Sequence, residues 1–174
     1  MARQKEEWKK IEYTPQFQTI LQFYLFDTPV EGISCRGKTF KEIGWTGSSR
    51  FRMLERLLKE ASEIETDNWI FSEIENVERL DLIHKTDIQY MVSSHDRGKV
   101  QSMIYAIRNA LAHGSFLRKD NGWYLFENYY RGKLKARMLI EEKTLLEWIK
   151  IIQTNPANVC QGLFSESCTE KKAH

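Results

Sequence analysis

Arg108, Asn109 and His113 fall within the segment Ile107-Arg108-Asn109-Ala110-Leu111-Ala112-His113-Gly114, with the histidine five residues after the arginine. A guanidinium stays charged at every physiological pH and can grip a phosphate. An imidazole titrates near neutrality and can give or take a proton. A phosphodiester that is to be cleaved needs both services at one phosphorus, and the amide beside the arginine can hold either group in place.

These residues need an element to position them, and the sequence supplies a helix. Residues 97–113 contain no proline, and their only glycine, Gly98, falls in the expected first turn, while Gly114 follows as the residue type that ends helices. At about 100° per residue, Val100, Ile104, Ile107 and Leu111 form one apolar stripe facing a core. Tyr105, Ala106, Ala110 and Ala112 surround Asn109 and His113 on the other side. A small-residue face of this kind predicts close packing against another helix, from this chain or from a second copy. The residues alone also allow a plainer arrangement, in which His113 satisfies the last helix carbonyls and favours the negative end of the helix dipole, with Arg108 in an ordinary salt bridge.

The run Arg108-Asn109-Ala110-Leu111-Ala112-His113 resembles the R-N-x-x-x-H form of the Arg-x(4–6)-His motif of the HEPN superfamily, and the continuation Gly114-Ser115-Phe116 looks like members from bacterial defence and mobile-element loci. The resemblance extends over roughly 14–154, with its motif at 108–113. It implies a helical bundle and an endoribonuclease that needs no metal, working as a homodimer whose two motif helices form one cleft. In that setting Arg108 contacts the scissile phosphate, His113 takes part in proton transfer and Asn109 positions them. The ribose 2′-hydroxyl attacks the adjacent phosphorus, leaving a 2′,3′-cyclic phosphate and a 5′-hydroxyl. A toxin or abortive-infection effector is the implied setting, with an antitoxin such as a nucleotidyltransferase as possible partner. Other members only bind, so a non-catalytic nucleotide- or RNA-binding module is the alternative, and a dimerisation domain a third reading.

Length and composition set the frame. A chain of 174 residues with 41% hydrophobic and 12% aromatic content is expected to form one domain over 14–154, between an N-terminal extension at 1–13 and a tail at 155–174. No apolar run reaches membrane-spanning length, and the charged start lacks a signal-peptide core, so a cytoplasmic protein without membrane contact is expected. Cys35, Cys160 and Cys168 are odd in number and form no CxxC pair, and His84, His95 and His174 lack ligand spacing. No metal and no cofactor are expected.

A net charge of +2 does not by itself argue for nucleic acid, so distribution matters more. Over 133–140, Lys133, Lys135 and Arg137 alternate with Leu134, Ala136, Met138 and Ile140, which predicts a strand with one basic face. That face is a candidate RNA track or a solubilised outer surface.

The remaining elements read at lower detail. Thr14-Pro15 starts a helix with Phe17, Ile20, Leu21 and Tyr24 as its stripe, ending near Asp27. The glycine-rich stretch 28–48 reads as a loop, and its Gly32, Gly37, Lys38 and Thr39 lack the strand and helix that a phosphate-binding loop requires. Phe51, Leu54, Leu57, Leu58, Ala61 and Ile64 mark a second helix, with Arg50, Arg52, Arg56 and Lys59 on other faces. Helical segments are expected over 71–82 and 86–92, one of them packed on the motif helix. Asn121-Gly122 predicts a hairpin between strands at 115–119 and 123–128, and Arg131-Gly132 a turn into the basic strand. A capping box at Thr144-Leu145-Leu146-Glu147 opens a last helix, with Leu145, Trp148, Ile149 and Ile152 inward, ended by Pro156. The expected fold is mainly α: a HEPN-like bundle with a small C-terminal antiparallel β-hairpin or three-stranded meander.

Overall fold

The computed structural model describes residues 13–30, 32, 36–62, 69–70, 90–93, 98–119 and 122–158, with 69–70 and 90–93 described as backbone. The expectations placed on Cys35, Cys160, Cys168, His84, His95, His174 and 71–82 lie outside these residues.

Helix α1, Pro15–Gln22, begins as its sequence dictates. Thr14 Oγ1 accepts the Phe17 N–H at 3.1 Å and Pro15 occupies the first turn, where a missing N–H costs nothing. A π-helical turn, Phe23–Asp27, continues it and ends where the pattern stops. The stretch read as a loop holds a four-residue helix, α2, Phe40–Ile43. Thr39 and Glu42 form a reciprocal capping box there, so the Thr39 of the glycine-lysine-threonine run is a helix cap. Next to it, Trp45 is fully buried and its Nε1–H donates to the Ile152 carbonyl at 3.0 Å. Helix α3, Gly47–Ser62, buries Leu54 and Leu58.

Strands β1, Trp69–Ile70, and β2, Tyr90–Ser93, precede the motif helix α4, Lys99–Ala112, and strands β3, Phe116–Arg118, β4, Trp123–Tyr130, and β5, Lys133–Glu141, follow it. Strands β3, β4 and β5 make the expected antiparallel meander. The sheet is larger than the meander, with order β1-β2-β5-β4-β3, β2 antiparallel to β5 and β1 parallel to β2. Over 90–92 the expected helix is therefore strand, and 86–89 lie outside the described residues. Tyr90, Met91 and Val92 suit a pleated surface, and the free edge of β5 offers backbone groups that a strand can satisfy.

Helix α5, Glu142–Gln153, starts two residues before the expected capping box, with Glu141 as N-cap and no side-chain cap bond. Thr144 is thus a buried residue inside the first turn, while Leu145, Trp148, Ile149 and Ile152 face inward as read. Trp148 donates from Nε1 to the Leu58 carbonyl at 2.8 Å, tying α5 to α3. Helix residues predominate among those described, yet the helices do not enclose a core by themselves. Phe17, Ile20, Leu54, Ile104 and Trp148 share one apolar cluster with Tyr124, Phe126, Ala136, Met138 and Ile140 of the sheet, so the sheet is one wall of the core. On its other face Trp123, Leu125 and Leu139 form a smaller buried cluster.

Candidate active site

Helix α4 carries the motif and lies against β4, the π-helical turn and α3. Val100, Ile104, Ile107 and Leu111 are buried, as their spacing requires. Ser102, Met103, Ala106 and Ala110 are buried as well, so the alanine face is packed inside this chain and is not a free surface. The methyl-sized side chains there let neighbouring elements of the same subunit approach the helix closely. What reaches solvent is a narrow stripe: Gln101, Tyr105, Arg108 and Asn109 are partly exposed, and Ala112 and His113 are exposed.

The end of the helix fixes where His113 stands. Gly114 adopts φ +65, and its N–H donates to Leu111 O at 3.3 Å while Ser115 N–H donates to Ala110 O at 2.8 Å. This is the Schellman arrangement, in which a left-handed residue reverses the chain and satisfies the last carbonyls. A side chain at position 114 would meet no steric obstacle, so backbone conformation alone favours glycine there. With those carbonyls bonded by backbone N–H groups, the plainer role for the His113 side chain is filled by other donors. Among the described residues its imidazole makes no hydrogen bond.

Arg108 donates from Nη1 to Asn109 Oδ1 at 3.1 Å. Its Nε is buried and has no hydrogen-bond partner among the described residues, and no carboxylate pairs with the guanidinium there. The ordinary salt bridge allowed by the sequence is thus not formed within these residues. The cation is held by a neutral amide on the solvent-facing stripe, five residues before the exposed histidine.

The basic strand is less uniform than its alternation. Leu134, Ala136, Met138 and Ile140 are buried, Lys133 is exposed, and Lys135 and Arg137 are partly exposed, but Leu139 is also fully buried on the opposite side of the sheet. Between the pairs Asn128–Ala136 and Tyr129–Leu134, Lys135 is an extra residue, so a bulge breaks the simple period. Arg137 faces Glu127 across the strands. Its Nη2 and Nε lie 2.7 and 2.8 Å from Glu127 Oε1, so its charge is already compensated. Glu127 Oε2 accepts the Tyr129 hydroxyl at 2.8 Å, and burial first, then this carboxylate, hold that phenol above its ordinary pKa.

The structure brings Arg108 and Asn109 together and sets His113 at the same helix end, and it places Lys133, Lys135 and Arg137 on the neighbouring hairpin. Glu127 N–H donates to Ser115 O at 2.9 Å, so the cap of α4 abuts the strand that leads to that hairpin. The sequence reading leaves Tyr129 and Tyr130 without a role and takes Arg131 only as a turn residue. Two adjacent tyrosines before an Arg-Gly turn were the available signal.

No family model, curated protein or solved structure matches this chain. Among the described residues no group of three His, Cys, Asp or Glu side chains is gathered as metal ligands, and no helix is long and apolar enough to cross a membrane.

Proposed function

We propose that the chain is an endoribonuclease of the HEPN type, with Arg108, Asn109 and His113 as its chemical groups. The observation that carries this reading is Arg108: a cation on the solvent-facing stripe, tethered by Asn109 and lacking a carboxylate among the described residues, five residues before an exposed imidazole. Such a guanidinium can accept a phosphate without first breaking an ion pair. In the proposed reaction the RNA's own 2′-oxygen forms a bond to phosphorus as the bond to the 5′-oxygen breaks. One proton leaves the 2′-hydroxyl and one reaches the 5′-oxygen, giving a 2′,3′-cyclic phosphate and a 5′-hydroxyl. Because the nucleophile belongs to the substrate, no metal-bound water has to be generated.

Two proton-handling groups serve that exchange best, a base and an acid. Each chain offers one exposed imidazole at this helix end. A two-fold homodimer would present two, and would double the Arg108 charge facing one phosphate. The surface available for such a contact is the Gln101, Tyr105, Arg108 and Ala112 stripe, since Ala106 and Ala110 lie in the core. Lys133 and Lys135 extend the positive surface toward bound RNA, with Arg137 held against Glu127. A toxin or defence effector kept silent by a partner protein fits an enzyme of this kind.

A binding module without turnover is favoured by one observation, that nothing among the described residues orients the His113 ring. Incubation of the purified protein with a mixed RNA pool in excess EDTA, followed by mapping of new ends, separates the two. The enzyme gives 2′,3′-cyclic phosphate ends under chelation. Activity that vanishes in EDTA and returns with a divalent ion overturns the mechanism, and an intact RNA pool leaves the binding module.

A further inference from the structure

The tip of the β4–β5 hairpin has a composition and conformation that the cleavage chemistry does not use. Tyr129 and Tyr130 are among the few large aromatic side chains left in solvent among the described residues, with Tyr130 57% exposed. Arg131 follows with φ +50, a left-handed conformation rare for a side-chain-bearing residue, and Gly132 with φ +75 completes the turn. Asn, Asp or Gly serve such a turn with less strain, so the arginine is not there for the turn's sake. Its guanidinium carbon sits 5.2 Å from the Tyr130 ring centroid, within cation–π range. From Tyr129 to Ala136 the chain carries Arg131, Lys133 and Lys135 and no carboxylate. Among the described residues none of these three cations is in an ion pair.

We infer that this tip is a platform for single-stranded RNA, stacking an unpaired base on Tyr130 while Arg131, Lys133 and Lys135 hold the flanking phosphates. Every base has a face that stacks on a tyrosine, but a duplex keeps those faces covered, so the platform selects unpaired strands. Exposed tyrosine alone would suit a protein partner equally well; the uncompensated positive charge around it is complementary to a phosphate backbone. Binding at the tip does not rest on the ribonuclease reading.

The test uses the full chain and fluorescence anisotropy with a fluorescein-labelled single-stranded RNA of about 12 nucleotides. The oligonucleotide carries 2′-O-methyl groups so that it cannot be cleaved by its own 2′-oxygen. Wild type and His113→Ala are expected to bind it alike, and more tightly than the matching duplex. Tyr130→Ala weakens binding about tenfold or more, whereas Tyr130→Phe, which keeps the ring, stays within about twofold of wild type. Arg131→Gly, which also relieves the turn, lowers the salt slope by about one. Binding without any cleavage of unmodified RNA upholds the platform while the ribonuclease reading falls. Tyr130→Ala binding as tightly as wild type overturns the platform, even if cleavage is intact. Equal affinity for duplex overturns it too, and a wild-type protein that ignores the single strand returns the tip to a protein-docking surface.

Discussion

Arg108 on α4 and Arg137 on β5 are two partly buried guanidiniums, and their electrical situations are opposite. Arg137 is gripped by Glu127 at 2.7 Å, in a cross-strand pair that also takes in the Tyr129 hydroxyl. Arg108 has only the neutral Asn109 oxygen at 3.1 Å, and its Nε has no partner among the described residues. A phosphate arriving at Arg137 must compete with a carboxylate already in place. One arriving at Arg108 replaces solvent. Positive residue types in a sequence are therefore not equivalent as anion sites, and what decides between them is whether the fold has already supplied the counter-charge.

The comparison breaks most severely if the motif helix is not the packed element described. Ala110→Glu places a carboxylate among Ile107, Leu111 and the sheet, at a cost of about 3–5 kcal/mol for an unpaired buried charge. Against a total stability of roughly 5–15 kcal/mol, that variant is expected to lose its cooperative thermal transition. Ala112→Glu, on the exposed stripe, should melt as the wild type does and fail to dimerise in sedimentation. If Ala110→Glu keeps its melt and loses only its dimer, the assignment of faces is reversed.

His113→Ala tests the other half of the motif. Loss of a proton-transfer group should slow cleavage by about 10²- to 10⁴-fold. Because the side chain is exposed and makes no hydrogen bond among the described residues, the melting free energy should move by less than about 0.5 kcal/mol. A comparable loss of stability would mean that the histidine serves the helix cap and not the chemistry.

Releasing Arg137 sharpens the contrast directly. Glu127→Gln leaves the shape and removes the carboxylate that pairs with Arg137, so RNA affinity should rise and the salt slope should steepen by about one phosphate contact. Stability should fall by about 1 kcal/mol, as for a partly exposed pair. An unchanged slope would show that Arg137 is not oriented toward bound RNA even without the Glu127 charge. Smallest in effect is Asn109→Ala, which removes a tether and no charge. A decrease of about tenfold in cleavage is expected from loosened positioning, with Asn109→Asp lower still because it would supply Arg108 with the missing carboxylate.

Much of the framework around these two arginines is legible in the residues. Thr14-Pro15 starts a helix, the apolar stripe of α4 is buried, Gly114 ends it, and the Arg131-Gly132 turn joins the basic strand to its partner. These are local signals, each set by a propensity or a period. What was not legible depends on how many walls surround an element. Helical period marks Val100 to Leu111 as one buried face, but Ala106 and Ala110 look like a second surface until the fold buries them in the same core. Likewise, alternation marks Arg137 as outward, but only the strand register reveals Glu127 opposite it, and the bulge at Lys135 has no sequence signature. Thr144 shows the same limit: its capping box is written in the residues, yet β5 runs straight into α5 at Glu142 and leaves the threonine inside the helix.

The most direct test sets the two arginines side by side. Single-turnover cleavage of one RNA by Arg108→Ala and by Arg137→Ala, each shown by circular dichroism to be folded, measures what each guanidinium does for the reacting phosphate. An uncompensated, phosphate-gripping Arg108 predicts a loss of about 100-fold or more for the first variant and less than about fivefold for the second. Equal losses, or a larger one at Arg137, would contradict it.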